Sequence, residues 1–309
     1  LHLPGPGVLG ARVATSKAMM REVFSQHGIP SPMARCCASL TEAEAAIRAL
    51  GLPVVVKPTD NAGSRGVTYI DHPSQLAHAV EHALAHSKEQ RLMVEEYVPG
   101  VEMSVEGFVV KGRFSAIALS DKIRTRPPYL LDTTVLFPSE QPKEVQEIAR
   151  DLVRKSVEAA GLDTATIHAE LKVGPDGGVK MIEFAARGAG FKVFTDMLLW
   201  VTGIDVVVAL VRLAVGQPVD LSSPLARGSV LRFPDVAPGK VLRIQGVEEA
   251  RAVPGVKELE LYVQPGDQVP VLTSGSDRVG YFITVGESRR EAERVMEQVE
   301  KMLCIEVAP

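Results

Sequence analysis

Apolar side chains recur along this chain at two periods, about 3.6 and about 2, and the points where one gives way to the other divide it into helices and strands. After a Pro/Gly-rich lead, Met19, Met20, Val23 and Phe24 mark one side of a helix over 15–26. Thr15 or Ser16 can cap it, and Gly28 and Pro30 stop it. A short extended segment leads to a second helix in TEAEAAIRALG, with Thr41 as the expected cap and Glu44 as its capping-box partner. The β-branched run LPVVVKP predicts a strand, followed by the small-residue loop TDNAGSRGV, a helix near 73–86 and the strand RLMVEEYV. Strands near 104–110 and 113–120 come next, and 142–160 fits an amphipathic helix with Val145, Ile148, Leu152, Val153 and Val157 inward.

The stretch HAELKVGPDGGVKMIEFAAR reads as a hairpin whose turn over 175–178 sets Glu170 directly opposite Glu183. Strict alternation then gives one polar face with His168, Glu170, Lys172, Glu183 and Arg187, accompanied by Met181 and Ala185. The core face holds Ala169, Leu171, Val173, Ile182 and Phe184. Two carboxylates about 5 Å apart repel by roughly 3 kcal/mol at an effective dielectric of about 20. A divalent cation offsets this, since Mg²⁺ takes one or two protein carboxylates and leaves its other positions to water and phosphate oxygens. The alternative is a pair of solvated glutamates with Lys172 and Arg187 between them.

Composition narrows the classes. A chain of 309 residues accommodates two or three units, and a net charge of −4 without a basic stripe argues against nucleic acid as the principal partner. Cys36, Cys37 and Cys304 show no metal-ligand spacing and no even-numbered framework, so they read as packing residues in a reducing, cytoplasmic setting. MLLWVTGIDVVVALVRLAVG approaches a membrane span in length, but Asp205 and Arg212 make a buried helix starting near Asp205 the better reading. The first ten residues lack the pattern of a signal peptide, and Leu1 is not an initiator methionine, so a trimmed or processed piece of a longer chain is an expectation. Pro, Ser and Gly between 217 and 229 mark a boundary. Beyond it, strands near 230–233, 240–245, 256–263 and 278–285 and a helix over 289–303 predict a compact module of its own.

Two further segments carry chemistry. In the loop 59–66, Gly63 and Gly66 allow close backbone approach, Ala62 and Ser64 are small, and Lys57 closes the preceding strand. Exposed N–H groups with an ammonium nearby make an anion cradle, although a small-residue loop after a strand also serves as a plain turn. The strand ending Val94-Glu95-Glu96-Tyr97-Val98-Pro99-Gly100 can present a carbonyl and an N–H two residues apart to a purine edge, with Glu102 beyond for ribose hydroxyls. A charged edge strand guarded against aggregation is the competing reading.

In this order, the motifs resemble the ATP-grasp superfamily, in which two α+β subdomains close on ATP. The resemblance runs from about Arg12 to the end of the chain. It implies an α+β ATP-grasp domain over 1–220, a lid subdomain over about 52–110 and a small C-terminal α+β domain over 221–309. The N-terminal α/β domain usual in such ligases is expected to be missing or supplied by a partner. The resemblance further implies Lys17 and Lys57 as phosphate-contacting lysines and 59–67 as the mobile loop over the phosphates. Glu95, Glu96 and Val98 fall on the adenine hinge, with the Glu96 carbonyl and the Val98 N–H as readers, and Glu102 on the ribose position. Glu170 and Glu183 match the paired ligands of magnesium, with manganese as the other candidate ion, and Arg187 matches an arginine beside the transferred phosphate.

Many members carry asparagine two residues after the second glutamate, where this chain has Ala185. EFAARGAG, SDKIRTRPPYLLDTTVLFPS, the H-A-E sequence and the C-terminal PGV…GDQV…SDRVGYFITVG look like the amino-acid ligase branch, whose last part is similar to that of biotin carboxylase. The implied activity is a carboxylate–amine ligase acting through an acyl phosphate on small-molecule acids and amines. Lys122 is a candidate to orient carboxylate or γ-phosphate, against a surface ion pair with Asp121, and His168 a candidate hydrogen-bond donor or proton acceptor, against a structural role. Tyr129, Phe191 and Trp200 are candidate pocket walls. A carboxylase activating bicarbonate, a nucleotide-binding fragment without turnover, and a homodimer all stand open.

Overall fold

The computed structural model describes residues 3–223 and 225–308. Two helices open it, α1 (Val8–Thr15) and α2 (Lys17–Gln26), so the Pro/Gly-rich lead is partly helical rather than irregular. Gly10 permits this by letting α1 lie against Leu162, where an added β-carbon would come within 2.6 Å of the leucine Cδ2. Ser16 caps α2, accepting from the Met19 N–H.

An outer unit follows: β1 (Ala34–Cys37), α3 (Leu40–Leu50), β2 (Val54–Pro58), β3 (Thr68–Ile70), α4 (Leu76–Ala85) and β4 (Leu92–Glu96). Its strands form an antiparallel sheet in the order β1-β4-β2-β3. Val54, Val56, Ile70, Leu92 and Val94 pack there on Ala43, Ala46, Ala79, Val80 and Ala83 of the two helices. Ser39 and Glu42, not Thr41 and Glu44, provide the start of α3: Ser39 Oγ accepts from Glu42 N and Glu42 Oε2 from Ala38 N. The same S/T-x-x-E spacing occurs twice, and the upstream copy is the one that turns Ala43 and Ala46 inward.

The main sheet takes β5 (Val101–Val110), β6 (Arg113–Arg124) and β7 (Asp132–Phe137), then, past α5 (Lys143–Ala160), the hairpin β8 (Ala165–Val173) and β9 (Val179–Ala185). Helices α6 (Leu198–Thr202) and α7 (Val206–Ala214) lead to β10 (Gly228–Arg232), β11 (Gly239–Gln245), α8 (Val247–Arg251), β12 (Val256–Leu261), β13 (Gln268–Val269), β14 (Gly280–Gly286), α9 (Arg289–Met302) and β15 (Cys304–Ala308). Eight strands run in the order β12-β14-β10-β7-β6-β5-β8-β9, every neighbouring pair antiparallel. Because β10 pairs with β7, the sheet continues through the Pro/Ser/Gly-rich boundary, and the C-terminal strands extend it instead of closing on themselves. Only β13-β11-β15 form a separate small sheet.

Alternation along β5, β8 and β9 sends Met103, Val105, Ala169, Leu171 and Phe184 to a core shared with α1, α2 and α5. In α5 the inward stripe is Val145, Ala149, Leu152, Val153 and Val157, while Ile148 lies at its edge and is 49% exposed. Asp205 caps α7 through the Val208 N–H, but that helix buries only Val206, Ala209 and Leu213; Val207, Val208, Leu210 and Val211 face solvent, so it is amphipathic and not fully buried. Among the described residues no single helix is long and apolar enough to cross a membrane, and the segments Val193–Thr202 and Val206–Ala214 meet at 114°. Cys37 is buried as expected of a packing residue, whereas Cys304 is exposed.

Candidate active site

The other face of the main sheet is polar where the outer unit overhangs it. Glu102, Ser104 and Glu106 on β5, Ser120, Lys122 and Arg124 on β6, and His168, Glu170 and Lys172 on β8 occupy alternate positions and floor one cavity of about 570 Å³. Most are buried, yet Ser104 Oγ, Ser120 Oγ, Glu102 Oε1 and Glu106 Oε2 have no hydrogen-bond partner in the protein. Buried polar atoms are rarely left so unless a ligand or water completes them.

The β8–β9 register pairs Glu170 with Glu183 as expected, although the strands leave the turn one residue out of that count, with Val173 opposite Val179. One correction follows immediately, because a bulge beyond that pair sets Leu171 opposite Met181. The extra residue reverses the two faces, so Met181 is fully buried and Ile182 lines the cavity, opposite to strict alternation. Both glutamates line the cleft, each held by a lysine. Glu170 Oε1 lies 2.5 Å from Lys122 Nζ, and Glu183 Oε1 lies 3.1 Å from Lys17 Nζ.

Lys122 is therefore no surface residue paired with Asp121. It is buried and also faces Asp132 at 3.2 Å and Glu102 at 3.8 Å, while Asp121 projects to the opposite side and binds Arg289 and Ser139. Burial disfavours the Lys122 charge, but Asp132, Glu170 and Glu102 outweigh it and raise the pKa. Burial likewise opposes the Glu170 charge, and Lys122, His168 and Arg124 overcome it, holding the carboxyl well below its ordinary value. For Glu102 burial wins and the pKa rises, despite Arg124 at 2.6 Å. His168 bridges two carboxylates, Glu106 Oε1 accepting from Nδ1 at 2.6 Å and Glu170 Oε1 facing Nε2 at 3.4 Å. Burial depresses its pKa, but Glu106 lifts it to about 9, so the ring is a cation at neutral pH and a poor proton acceptor. It lies opposite Ala185.

The roof comes from the outer unit. Lys57, at the end of β2, is 2.6 Å from Glu95 Oε2, and Arg21 of α2 donates to both oxygens of Glu95 at 2.9 and 3.3 Å. Glu95 is thus a buried strut between two cations, its carboxylate is not free to read a ligand, and its backbone lies in the β1-β4-β2 ladder. Lys17 opens α2, its backbone N–H donating to Thr59 O and its Nζ to Asn61 O, which ties the helix to the 59–67 loop. Gly66 has φ +76°, and a β-carbon there would press His86, the His82 carbonyl and Pro58. Gly63, at φ +71°, is open to the cleft, and Ser64 adopts φ +56° beside it. Glu96, Tyr97 and Val98 line the same cavity, with the Glu96 carboxylate bound by Lys180.

Arg187 also lines the cleft, exposed and donating to the Gly188 carbonyl. Of the proposed aromatic walls, Phe191 lines it; Trp200, on α6, packs half-buried against the core, and Tyr129 meets His82 edge-on. Sequence reading missed Arg21, Arg124, Asp132 and Arg278. Arg21 alone left a local trace, one helical turn after Lys17 on the same side of α2.

Two family models match: ATP-grasp domain over residues 50–196 and L-amino acid ligase C-terminal domain 2 over 232–308. Residues 50–196 are an ATP-grasp domain. The chain is 28% identical to the uncharacterized protein y4rH of Sinorhizobium fredii over 100% of its own length and 64% of the relative's. It is 27% identical to alanine–anticapsin ligase of Bacillus subtilis over 73% of the chain and 52% of that protein. The crystal structure of L-amino acid ligase from Bacillus licheniformis superposes with a TM-score of 0.85 at 22% identity, covering 100% of this chain and 76% of that one. The chain thus spans about half to two thirds of the curated relatives' length.

Proposed function

We propose that this ATP-grasp chain catalyses ADP-forming ligation of a carboxylate to an amine, with amino acids as both substrates. The observation that carries this reading is the facing pair Glu170 and Glu183 at the junction of three lysines, Lys17, Lys57 and Lys122, in one cleft. A C-terminal segment of amino-acid ligase type favours ligation over bicarbonate activation, and the name of the alanine–anticapsin relative supports amino-acid substrates.

The adenine lies against Glu96–Val98 and the ribose near Glu102; the phosphates lie under the 59–67 loop, beside Lys17 and Lys57. Glu170 and Glu183 hold magnesium or manganese. Two carboxylates, with no cluster of three His, Cys, Asp or Glu among the described residues, fit an ion that completes its shell with phosphate and water. The ion supplies charge neutralisation at the terminal phosphates. Lys122 and Arg187 orient the substrate carboxylate and the phosphoryl group. A carboxylate oxygen attacks the γ-phosphorus as the bond to ADP breaks. The amine nitrogen then attacks the acyl carbon, phosphate leaves, and the nitrogen gives up a proton. Positioning and electrostatics carry most of such a reaction. His168, protonated, donates toward Glu170 and positions it.

Purified protein given ATP, Mg²⁺ and pairs of amino acids should form ADP and phosphate in step with an amide, and hydroxylamine should trap the acyl phosphate as a hydroxamate. AMP and pyrophosphate as products would refute the route. Glu183→Gln should cut turnover by at least about 100-fold with little change in melting temperature.

A further inference from the structure

Among the described residues three arginines that line the cleft, Arg65, Arg187 and Arg278, pair with no acid; the first two are exposed and Arg278 is half-buried. Arg278 precedes β14 and enters the cavity from the C-terminal segment. Its guanidinium carbon lies 3.5 Å from the Phe233 ring centre and 4.6 Å from that of Phe191, and Nη2 donates to the Asp132 carbonyl at 2.7 Å. The nearby carboxylate of Asp132 is taken by Lys122 and Arg124, and among the described residues no acid pairs with Arg278. Burial lowers its pKa to about 10, which leaves it charged at neutral pH. Aromatic contact with its flat surface leaves the edge, with its fork of donors, to an anion.

The holder is rigid. Asp277 Oδ2 accepts from the backbone and hydroxyl of both Thr273 and Ser274, which pins the turn that delivers Arg278. Phe191 keeps its ring there from a left-handed backbone, φ +49°, a conformation unfavourable for a non-glycine residue that recurs at ligand sites. A β-carbon on Gly275 would lie 3.5 Å from the Gly63 carbonyl and 3.6 Å from Arg278 Nη1, so the 59–67 loop comes close to this turn.

The position identifies the anion. Contacts run from Glu170 to Lys122, to Asp132 and through its carbonyl to Arg278. A carboxylate undergoing phosphorylation belongs at the Glu170 end, and one held by Arg278 at the far end is a different group. We propose that Arg278 binds the α-carboxylate of the amine-bearing substrate and thereby aims its amine at the acyl carbon. This assignment rests on the ligase reading above.

Ligation kinetics of Arg278→Gln and Arg278→Lys test it. Loss of the fork should raise KM for the amine-bearing amino acid by about 10- to 100-fold. KM for ATP should stay within about twofold, and the preference of the unaltered enzyme for the free acid over its carboxamide should vanish. Arg278→Lys, which keeps the charge, should fall between. A rise confined to KM for ATP or for the activated acid, or a preference that survives, overturns the assignment. Calorimetry with MgADP and a dipeptide or its C-terminal amide supplies a readout free of turnover, using alanyl-alanine if the ligation screen yields no product. The acid should bind at least about 10-fold tighter than the amide, and equally in Arg278→Gln. Equal affinities, or no binding of the acid, overturn the proposal. Discrimination without any ligation would sink the ligase reading and leave the carboxylate site standing.

Discussion

Glu95→Gln tests the electrostatic design of the roof. The carboxylate lies between Lys57 at 2.6 Å and Arg21 at 2.9 Å, all three groups being buried. Substitution by glutamine keeps the shape and removes the charge, leaving two buried cations unneutralised, a change that costs about 3–5 kcal/mol. At about 2 °C per kcal/mol for a chain of this length, the melting temperature should fall by about 6–10 °C. The sign with pH is fixed by the carboxyl itself. Burial would raise its pKa, but Arg21 and Lys57 hold it below 4.5, so its contribution is complete above that value and fades as pH falls through the folded pKa. The two proteins should therefore converge in stability on acidification. Burial already lowers the Lys57 pKa against the pull of Glu95, so losing that carboxylate lowers it further. Nucleotide affinity of the variant should then decline with rising pH sooner than that of the unaltered protein. Because phosphates beside Lys57 restore a counter-charge, MgATP should raise the melting temperature more in the variant. Calorimetric melts from pH 3 to 9, with and without nucleotide, decide the matter. A variant that melts within about 1 °C of the parent at pH 7, or a gap that widens as pH falls, would refute the reasoning.

Other substitutions separate causes that the fold brings together. Gly66→Ala combines a positive φ with a β-carbon 2.9 Å from His86 Cβ and 3.2 Å from the His82 carbonyl. It should cost about 2–4 kcal/mol in a thermal melt, whereas Gly63→Ala, with the same sign of φ and open space, should cost about 1 kcal/mol. Ser39→Ala should destabilise by about 1 kcal/mol and Thr41→Ala by less than about 0.5 kcal/mol, measured by denaturant unfolding, if the upstream cap is the working one. Lys122→Met leaves Glu170, Asp132 and Glu102 facing one another; turnover should fall by at least about 100-fold, and the pH at which Glu170 ionises should rise, readable as metal affinity lost on the acid side.

What the sequence discloses depends on how local the determinant is. The Glu170–Glu183 pairing is legible because two charges at nearly matching positions across a short Gly-rich turn stand out against apolar neighbours, although the turn starts the count one residue out and a bulge restores it. The bulge is not legible, since Met181 and Ile182 are both apolar and either could face the core without disturbing the pattern. Lys57 and the 59–67 loop announce themselves by following a β-branched strand. Glu95 was legible as part of the hinge, but its service as a strut was not, because Arg21 lies seventy-odd positions away on a helix whose partner the pattern does not name. The continuation of the main sheet through β10 and β14 is hidden for the same reason: a strand's own alternation says which side is buried, not which strand lies beside it.

The residues that escaped notice share a physical property that explains both the omission and their importance. Asp132, Arg124 and Arg278 sit in segments without clear periodicity, and each acquires meaning only from charges contributed elsewhere. Asp132 divides its oxygens between Lys122 and Arg124. Those two cations are then committed to protein carboxylates, and Glu102 absorbs more of their charge. Arg187 and Arg278, two cleft arginines left without an acid, differ in setting: one is exposed on the loop after β9, the other is wedged among aromatic rings beyond Asp132. An exposed arginine can follow a phosphoryl group that changes charge and position during reaction. A wedged one can only hold an anion that stays where it is. On the proposed reading the cleft separates a moving charge from a fixed one, which suits a reaction joining an activated acid to a second amino acid, because the second carboxylate is then bound without competing for the phosphoryl group.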